Sequence, residues 1–507
     1  SVAFGIADRV SFYKNPNVST KAVSISSYIQ DNWKINARFN LIYGVRWEIN
    51  PAPSTADKDS LLTLETAPDL TQNDQTSLRL AANGTPYYKT DFRNFAPRIG
   101  AAFRVFEKDD KELTLRGGIG TFYDLGQSQF YEIASPYQHS NFLAENLILP
   151  ISNVPESVFL TANDPNRRLA VVSAAPDYQL PRTYFWNATA QLRIGNEMFS
   201  AAYVGGAGRK LQRTLTLNLA APNGVLSGYF SNKFSKIIYI DNAYSSDYHA
   251  LQLQYSRRLT KGLNAFANYS WAHSIDNNSS DSNVSYPFVN YAVSNDRGNS
   301  DFDVRHSLNI GFSYNLPRMN SRNFVGKILK DISFGGIFFA RTGLPFDVKT
   351  VEFDQFSNEY IYRRANVNRE LPLTVESPQS PTGVKLNIDA FNKPLSQFAQ
   401  GNLPRNAFSG PSVWQFDSSV SKKINIKEKL QVCFRAEVYN LFNRPNFSNP
   451  YNLLSYQGKL KVVDEKFGMP YRTMARGYAG AEPTGGVSPI FQLGGARAVQ
   501  FGIQFKF

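Results

Sequence analysis

Several segments place an apolar residue at every second position, the mark of a strand whose side chains alternate between two faces. Near the C-terminal end Val499, Phe501, Ile503, Phe505 and Phe507 alternate with Gln500, Gly502, Gln504 and Lys506. Leu430, Val432, Phe434, Ala436 and Val438 alternate with Gln431, Cys433, Arg435, Glu437 and Tyr439. The same holds for Leu308, Ile310, Phe312, Tyr314 and Leu316 against Ser307, Asn309, Gly311, Ser313 and Asn315, and for Phe39, Leu41, Tyr43, Val45, Trp47 and Ile49 against Asn40, Ile42, Gly44, Arg46 and Glu48. Less pure versions occupy 24–35, 97–106, 112–123, 183–194, 197–206, 248–258, 262–273, 331–341 and 414–424, and a further strand is expected at 2–13. The pattern predicts about fourteen strands, each near the length that crosses a bilayer at a tilt.

The connections alternate in length. Short polar turns fall at Asn36 to Arg38, Glu107 to Lys111, Gly195-Asn196, Thr260-Lys261 and Asn425 to Glu428, with 317–330 an intermediate exception. Long connections run over 50–94, 124–182, 207–246, 275–303, 343–413 and 441–496. Compact soluble domains rarely carry so many long irregular loops, whereas an outer-membrane barrel has short periplasmic turns at one rim and long extracellular loops at the other. Counted back from a final strand running toward the periplasm, every short turn falls on one side and every long loop on the other. The expected fold class is therefore all-β: an antiparallel transmembrane β-barrel of the outer membrane.

Composition fits this expectation. Aromatic residues make up 14% of 507 residues, and Trp33, Trp47, Trp186, Trp271, Trp414, Tyr439 and Phe507 stand near strand ends, where membrane interfaces hold such rings. No run of 18 apolar residues exists, so a transmembrane helix is excluded while a barrel is not. A single cysteine, Cys433, excludes a disulfide framework, and the four histidines are too scattered for a zinc site of the HExxH kind. The net charge of +13 favours anionic surroundings such as phosphate-bearing lipid heads. The charges are spread along the chain and the densest basic groups are short pairs, such as Arg257-Arg258, so nucleic acid is not an expected partner.

A set of segments carries a resemblance: SSYIQDNWKI (26–35), NFAPRIGAAF (94–103), LRGGIGTFYD (115–124), DYHALQLQYSRRLTKGLNAFANYSWAHSID (247–276), SDFDVRHSLNIGFSYNLP (300–317), RTGLPFDV (341–348), FRAEVYNLFNRPNFSNP (434–450) and GARAVQFGIQFKF (495–507). Together they resemble the barrel region of TonB-dependent outer-membrane receptors, in particular the Oar-like type whose precursors carry a carboxypeptidase-regulatory-like domain. The resemblance implies that 1–507 is the C-terminal barrel portion of a larger receptor, with signal peptide, plug and first strands lying upstream. It also implies energy-coupled uptake of a bulky solute such as a glycan or siderophore. The implied partners are a TonB-type coupling protein acting through the N-terminal region, the barrel assembly machinery, outer-membrane lipid and lipopolysaccharide, and an extracellular ligand. No cofactor is implied. The terminal Phe507 looks like the signal that hands such barrels to their assembly machinery.

Alternation puts Arg46, Glu48, Arg98, Arg104, Arg116, Arg435 and Glu437 on the face expected to line the lumen. In the long loops Tyr131, Tyr229, Tyr286 and Tyr360 are candidates to stack on a ligand, and Asp301 and Asp303, beside Arg305 and His306, to orient it. Each has a plainer alternative, loop-core packing for the tyrosines and a salt-bridged rim for the acids. The glycine clusters Gly117 to Gly120 and Gly205 to Gly208 lack the Gly-Lys-Ser/Thr of a phosphate loop and fit strands that must curve. Asp276 to Asn283 is rich in hard oxygen ligands, yet Asp281 and Pro287 stand where an EF-hand needs Gly and Glu. No catalytic triad or metal site is assembled, so a non-enzymatic receptor is expected, against three alternatives: a surface adhesion protein anchored by its barrel, a passive porin, and a barrel enzyme.

Overall fold

The computed structural model describes residues 6–14, 20–55, 63–125, 140–148, 169–220, 229–260, 262–279, 284–285, 291–316, 330–354, 359–395, 399–426, 430–457, 460–462, 464–474 and 495–506. Among these, one antiparallel sheet dominates. Its long strands are β1 (Ile25–Lys34), β2 (Phe39–Ile49), β3 (Asn94–Lys108), β4 (Lys111–Tyr123), β5 (Arg182–Ile194), β6 (Glu197–Ala220), β7 (Phe234–Thr260), β8 (Leu263–Asp276), β9 (His306–Asn315), β10 (Ile332–Arg341), β11 (Val413–Asn425), β12 (Gln431–Tyr439) and β13 (Ala498–Lys506). Each pairs antiparallel with the next in chain order, an up-and-down meander without crossovers. Four short strands join the sheet at its rim, at Leu169–Ala174, Tyr229–Phe230, Val284–Ser285 and Gly298–Asn299. No helix among the described residues is long and apolar enough to cross a membrane.

Register transmits one face across the whole sheet. Leu41 of β2 stands opposite Ala101, Phe103 opposite Leu115, Leu253 opposite Tyr269, Ile310 opposite Phe338, and Phe434 opposite Ile503. Ile99, Ile119, Ile337, Phe434 and Phe501 are exposed among many other large apolar groups, far more than a water-bathed surface carries. Ile337 is an exception to the sorting: Gly311 opposite it puts it on the polar side. Close approach governs some glycines. A Cβ at Gly205 would sit 2.1 Å from the Trp186 indole, and one at Gly311 would sit 2.3 Å from the Phe266 ring, so each ring lies flat across its partner strand only because glycine is there.

Two expectations need correction. The N-terminal strand exists as Ile6–Lys14, but it pairs with Ser140–Ile148, apart from the main sheet, which leaves thirteen long strands where fourteen were expected. The described parts of the long loops also carry regular structure and two cores of their own. Strands β6 and β7 run on past Gly208, through register shifts at Gly208/Leu211 and Leu211/Arg213, into a hairpin where 169–174 adds in parallel. There Leu217, Phe234, Ile237, Ile238, Ile240 and Val171 form a closed core with Leu64, Leu78 and Tyr88 from the 50–93 connection. A second core, around Val348, Ala365, Phe391, Leu454 and Phe467, joins the 342–412 and 440–497 connections through a four-stranded sheet of Lys349–Asp354, Glu359–Arg364, Leu453–Gln457 and Leu460–Val462. Tyr439, expected among the interface rings, shares the polar face with Glu437 and donates its hydroxyl to Glu437 Oε2 at 3.2 Å. Phe507 lies outside the described residues.

The register separates adjacent positions sharply. Arg placed at Phe434, on the apolar face, is expected to cost about 2 to 4 kcal/mol if the site lies near mid-membrane, while Arg at Cys433, on the polar face, should cost much less. Urea titration of the two variants folded into lipid vesicles measures the difference, and equal losses would overturn the assigned faces.

Candidate ligand-facing site

The seven charged residues expected in the lumen share one face of the sheet. Arg46 stands opposite Ala96, Arg98 opposite Gly120, Arg104 opposite Thr114, and Arg116 opposite both Ala102 and Thr189. Arg435 and Glu437 face Gly502 and Gln500 across the β12–β13 ladder. They form local pairs: Arg46 Nε lies 2.8 Å from Glu48 Oε1, and Arg46 Nη2 donates to Ser26 Oγ at 2.8 Å. Arg435 pairs with Glu437, and the Arg98 guanidinium sits 4.2 Å above the centre of the Phe122 ring. Arg104 lies between Glu107 at 2.5 Å and Glu112 at 3.7 Å, and Glu112 also takes Arg193 at 3.1 Å. Half-exposed pairs such as these add about 0 to 1 kcal/mol each, so their consequence is a charged, hydrated face rather than stability. Glu112 and Arg193 escaped the sequence reading although both follow the alternation of Arg116 and Gln191. Both lie inside the strands expected at 112–123 and 183–194, so applying the alternation to their full length finds them.

At the outer end of this face, β7, β8, β9 and β10 enclose a cavity of about 250 Å³. Tyr248, Ser270, Ser274, Asp303, Ser307 and Arg341 line it, with Phe302, 55% exposed, at its lip. Asp303 is buried and fixed, accepting from the Ser274 amide at 2.7 Å and pairing with Arg305 at 3.3 Å. Hydroxyls, one carboxylate and one guanidinium around an aromatic lip make a hydrogen-bonding recess. No serine in it is joined to a histidine: His249 and His306 contact the hydroxyls of Tyr203 and Tyr269, each at 2.8 Å, and His273 contacts Asn299 Oδ1 at 3.0 Å.

Above the cavity the connections are clasped by buried arginines. Arg405 pairs with Asp276, reaches Asp301 at 3.0 Å and donates to Ser279 Oγ at 2.7 Å. Asn406 Nδ2 adds a bond to Asp301 at 2.6 Å. Arg364 pairs with Asp296 at 2.5 Å, and Tyr291 donates to the same carboxylate at 2.7 Å. The acidic stretch weighed as a calcium loop is thus partly neutralised by a guanidinium, and no metal-ligating cluster occurs among the described residues. Burial opposes the charge of Arg364, but Asp296 and Tyr291 more than restore it and raise its pKa. Burial pushes the Asp347 carboxyl up, against the pull of Lys349, the Asn406 amide, Arg364 and Arg405.

The loop candidates separate. Asp301 and Asp303 meet at the clasp and the cavity, each already engaged by arginine. Tyr360 is exposed on the four-stranded sheet. Tyr229 is a correction: it is 2% exposed, donates to the Leu70 carbonyl at 3.2 Å, and burial pushes its pKa up to about 12, so its ring belongs to the first outer core. Tyr131 and Tyr286 lie outside the described residues.

Residues 2–473 match a family model described as an outer membrane beta barrel domain. No curated protein matches the chain. Among solved structures, the ferripyoverdine receptor of the outer membrane of Pseudomonas aeruginosa is 11% identical, with 87% of this chain covering 38% of that one at a TM-score of 0.39. The ferric-catecholate import receptor Fiu from E. coli K12 is 11% identical, with 88% of this chain covering 43% of that one at 0.38. The FrpB iron transporter from Neisseria meningitidis is 11% identical, with 96% covering 55% at 0.36. The chain thus spans less than two thirds of the length of each.

Arg405→Ala leaves Asp276 and Asp301 without their guanidinium, and the clasp is expected to lose about 3 to 5 kcal/mol locally. Limited proteolysis should then cut the 277–305 and 399–412 segments at least tenfold faster, roughly, while the sheet stays intact. A carboxyl whose folded-state pKa lies above its unfolded value stabilises the fold fully only below that unfolded value, and the contribution is lost as pH rises through the folded pKa. Asp347→Asn is therefore expected to protect the amides of residues 346–350 at neutral pH, with the gain vanishing as pH falls below the ordinary 3.8. Hydrogen exchange across that range checks the sign.

Proposed function

The chain belongs to the outer membrane β-barrel domain family and resides in the cell outer membrane, and from that premise we propose that it is the C-terminal barrel portion of a TonB-dependent receptor of the Oar-like type. It takes up a bulky solute, a glycan or siderophore, with energy delivered by a TonB-type protein through an N-terminal region. The observation that carries this reading is the parity of the sheet. Thirteen long strands in strict up-and-down order leave β1 and β13, the two edge strands, running the same way. An antiparallel closure between them needs an odd number of further strands, as a barrel larger than this sheet supplies. A wide barrel also fits a charged face whose Arg46, Glu48, Arg98, Arg104, Arg116, Arg435 and Glu437 line a lumen and meet water or a plug.

The outer cavity and the folded connections around it support ligand capture outside the membrane, with Asp303 in the cavity, Asp301 in the clasp and Tyr360 exposed on the four-stranded sheet. Capture rather than catalysis is the role proposed, since the recess binds by hydrogen bonds. Phe507 is proposed as the signal read by the barrel assembly machinery.

The test follows labelled ferric siderophores and labelled oligosaccharides on cells producing the full-length protein, with and without a protonophore. Uptake of one probe that collapses with the protonophore while surface capture persists is the expected result. Uptake indifferent to the protonophore identifies a porin, and capture without uptake identifies an anchored adhesion protein. Phe507→Ala is expected to lower the amount of heat-modifiable, assembled protein in outer-membrane fractions, and an unchanged amount would remove the assembly role.

A further inference from the structure

Directly paired positions on the polar face form one row across five strands at the outer end of the sheet. Arg98 stands opposite Gly120, Gly120 opposite Phe185, Phe185 opposite Gly206 and Gly206 opposite Tyr248, a span of roughly 19 Å at the usual strand spacing. The glycines let rings lie over the strands between. A Cβ at Gly120 would meet the Phe122 ring at 3.1 Å and the Arg98 side chain at 3.2 Å, and one at Gly206 would meet the Phe185 ring at 3.0 Å. Phe122 and Phe185 meet edge to face, their centres 5.8 Å apart. Tyr248 continues the row into the cavity beside Asp303.

Two features of this row call for a ligand. Phe122 and Phe185 are 38% and 48% exposed on a face that otherwise carries charge and meets water, where a phenyl ring gains nothing from solvent. Arg98 lies over Phe122 and makes no ion pair or hydrogen bond among the described residues, so its donor edge is open at the end of the row. Between Arg98 and Tyr248 the row offers rings and glycine backbone whose N–H and C=O groups are already spent in the ladder. A sugar hydroxyl seated there would surrender water without a replacement, whereas an aryl ring keeps its faces and edges in contact. A carboxylate on that ring would meet the guanidinium fork as a charge-assisted pair.

We propose that Arg98, Phe122, Phe185 and Tyr248 form a wall subsite for a planar aromatic acid, its ring against Phe122 and Phe185 and its carboxylate on Arg98, with Tyr248 joining this wall to the cavity. The proposal rests on the reading of the chain as a solute receptor and narrows it, from a bulky solute in general to one that carries a flat aryl carboxylate. Arg98 serves ring and acid at once, because a guanidinium stacks through its plane and donates through its edge.

The experiment uses the full-length protein purified from outer membranes in mild detergent, titrated with 2-naphthoate, with the uncharged 2-naphthylmethanol, with the non-planar cyclohexanecarboxylate and with maltotriose, binding being read by saturation-transfer NMR. Wild type is expected to bind 2-naphthoate in preference to the other three. Phe122→Leu/Phe185→Leu, which keeps apolar volume without the rings, should weaken that binding by roughly tenfold. Arg98→Gln should erase the preference for 2-naphthoate over 2-naphthylmethanol. Equal binding of cyclohexanecarboxylate, tighter binding of maltotriose, or unchanged affinity in the doubly substituted variant overturns the site. Where that unchanged affinity comes with new ion conductance in planar bilayers, the rings pack against protein inside the lumen instead. Heat-modifiable mobility of every variant guards against loss of fold. Uptake indifferent to the protonophore removes the receptor reading, whereas the affinity of the purified protein tests the wall itself, so the two failures are told apart.

Discussion

Everything in this protein follows from the need to pair backbone N–H and C=O groups where no water can reach them. A sheet meets that need only if each strand is followed by its neighbour without a gap, and the chain does so from β1 to β13 in sequence order. Once pairing is fixed, side chains have two places to go, and period-two alternation sorts them: Phe434, Ile503 and Phe501 to one side, Arg435, Gln504 and Gln500 to the other. A one-residue slip would reverse every assignment at once, so register is specified by the whole sheet rather than by any pair. The same constraint makes the free edges of β1 and β13 informative, since unpaired edges in hydrocarbon are costly and antiparallel closure obeys parity.

Outside the membrane the constraint relaxes and the chain uses ordinary globular physics. The outer connections build two apolar cores, and ion pairs tie the 342–412 connection to the 275–303 segment: Arg364 with Asp296 and Arg405 with Asp276, all four side chains largely buried. Buried pairs contribute little net stability but are strongly specific, because any displacement strands a charge. That specificity suits a surface that must hold one shape over the cavity beside Asp303 while its connections come from positions far apart in the chain.

How much of this was legible in the sequence depended on exposure. Strands with one apolar and one polar face announced themselves, and the expected bounds for 39–49 or 183–194 fall within a residue or two of those observed. The upper halves of β6 and β7 do not show as strands in the sequence, because Ile237 to Ile240 is a continuous apolar run buried on both sides, where alternation vanishes. Tyr229 is ambiguous for the same reason: a ring in a connection reads identically whether it faces solvent or a core contributed by a residue as distant as Leu70, 159 positions away. The seven charged residues of the polar face were legible from alternation alone. The arginine clasp was not, since Arg405 and Asp276 are separated by 129 residues and no local pattern links them.

The two faces of the sheet place their cations by different rules. On the polar side, arginines pair at short range along or across strands, as Arg46 does with Glu48 and Arg193 with Glu112, and water screens what remains. On the apolar face charge is sparse, with Asp31 opposite Tyr43 and Lys422 opposite Phe434, and at the outer end the ladder sets Arg182 against Arg209. The opposition is relieved within the protein, since Arg209 turns to Asp247 at 2.6 Å and donates to the carbonyls of Gly208 and Ser246, so even at the rim a guanidinium is held by the strands that flank it.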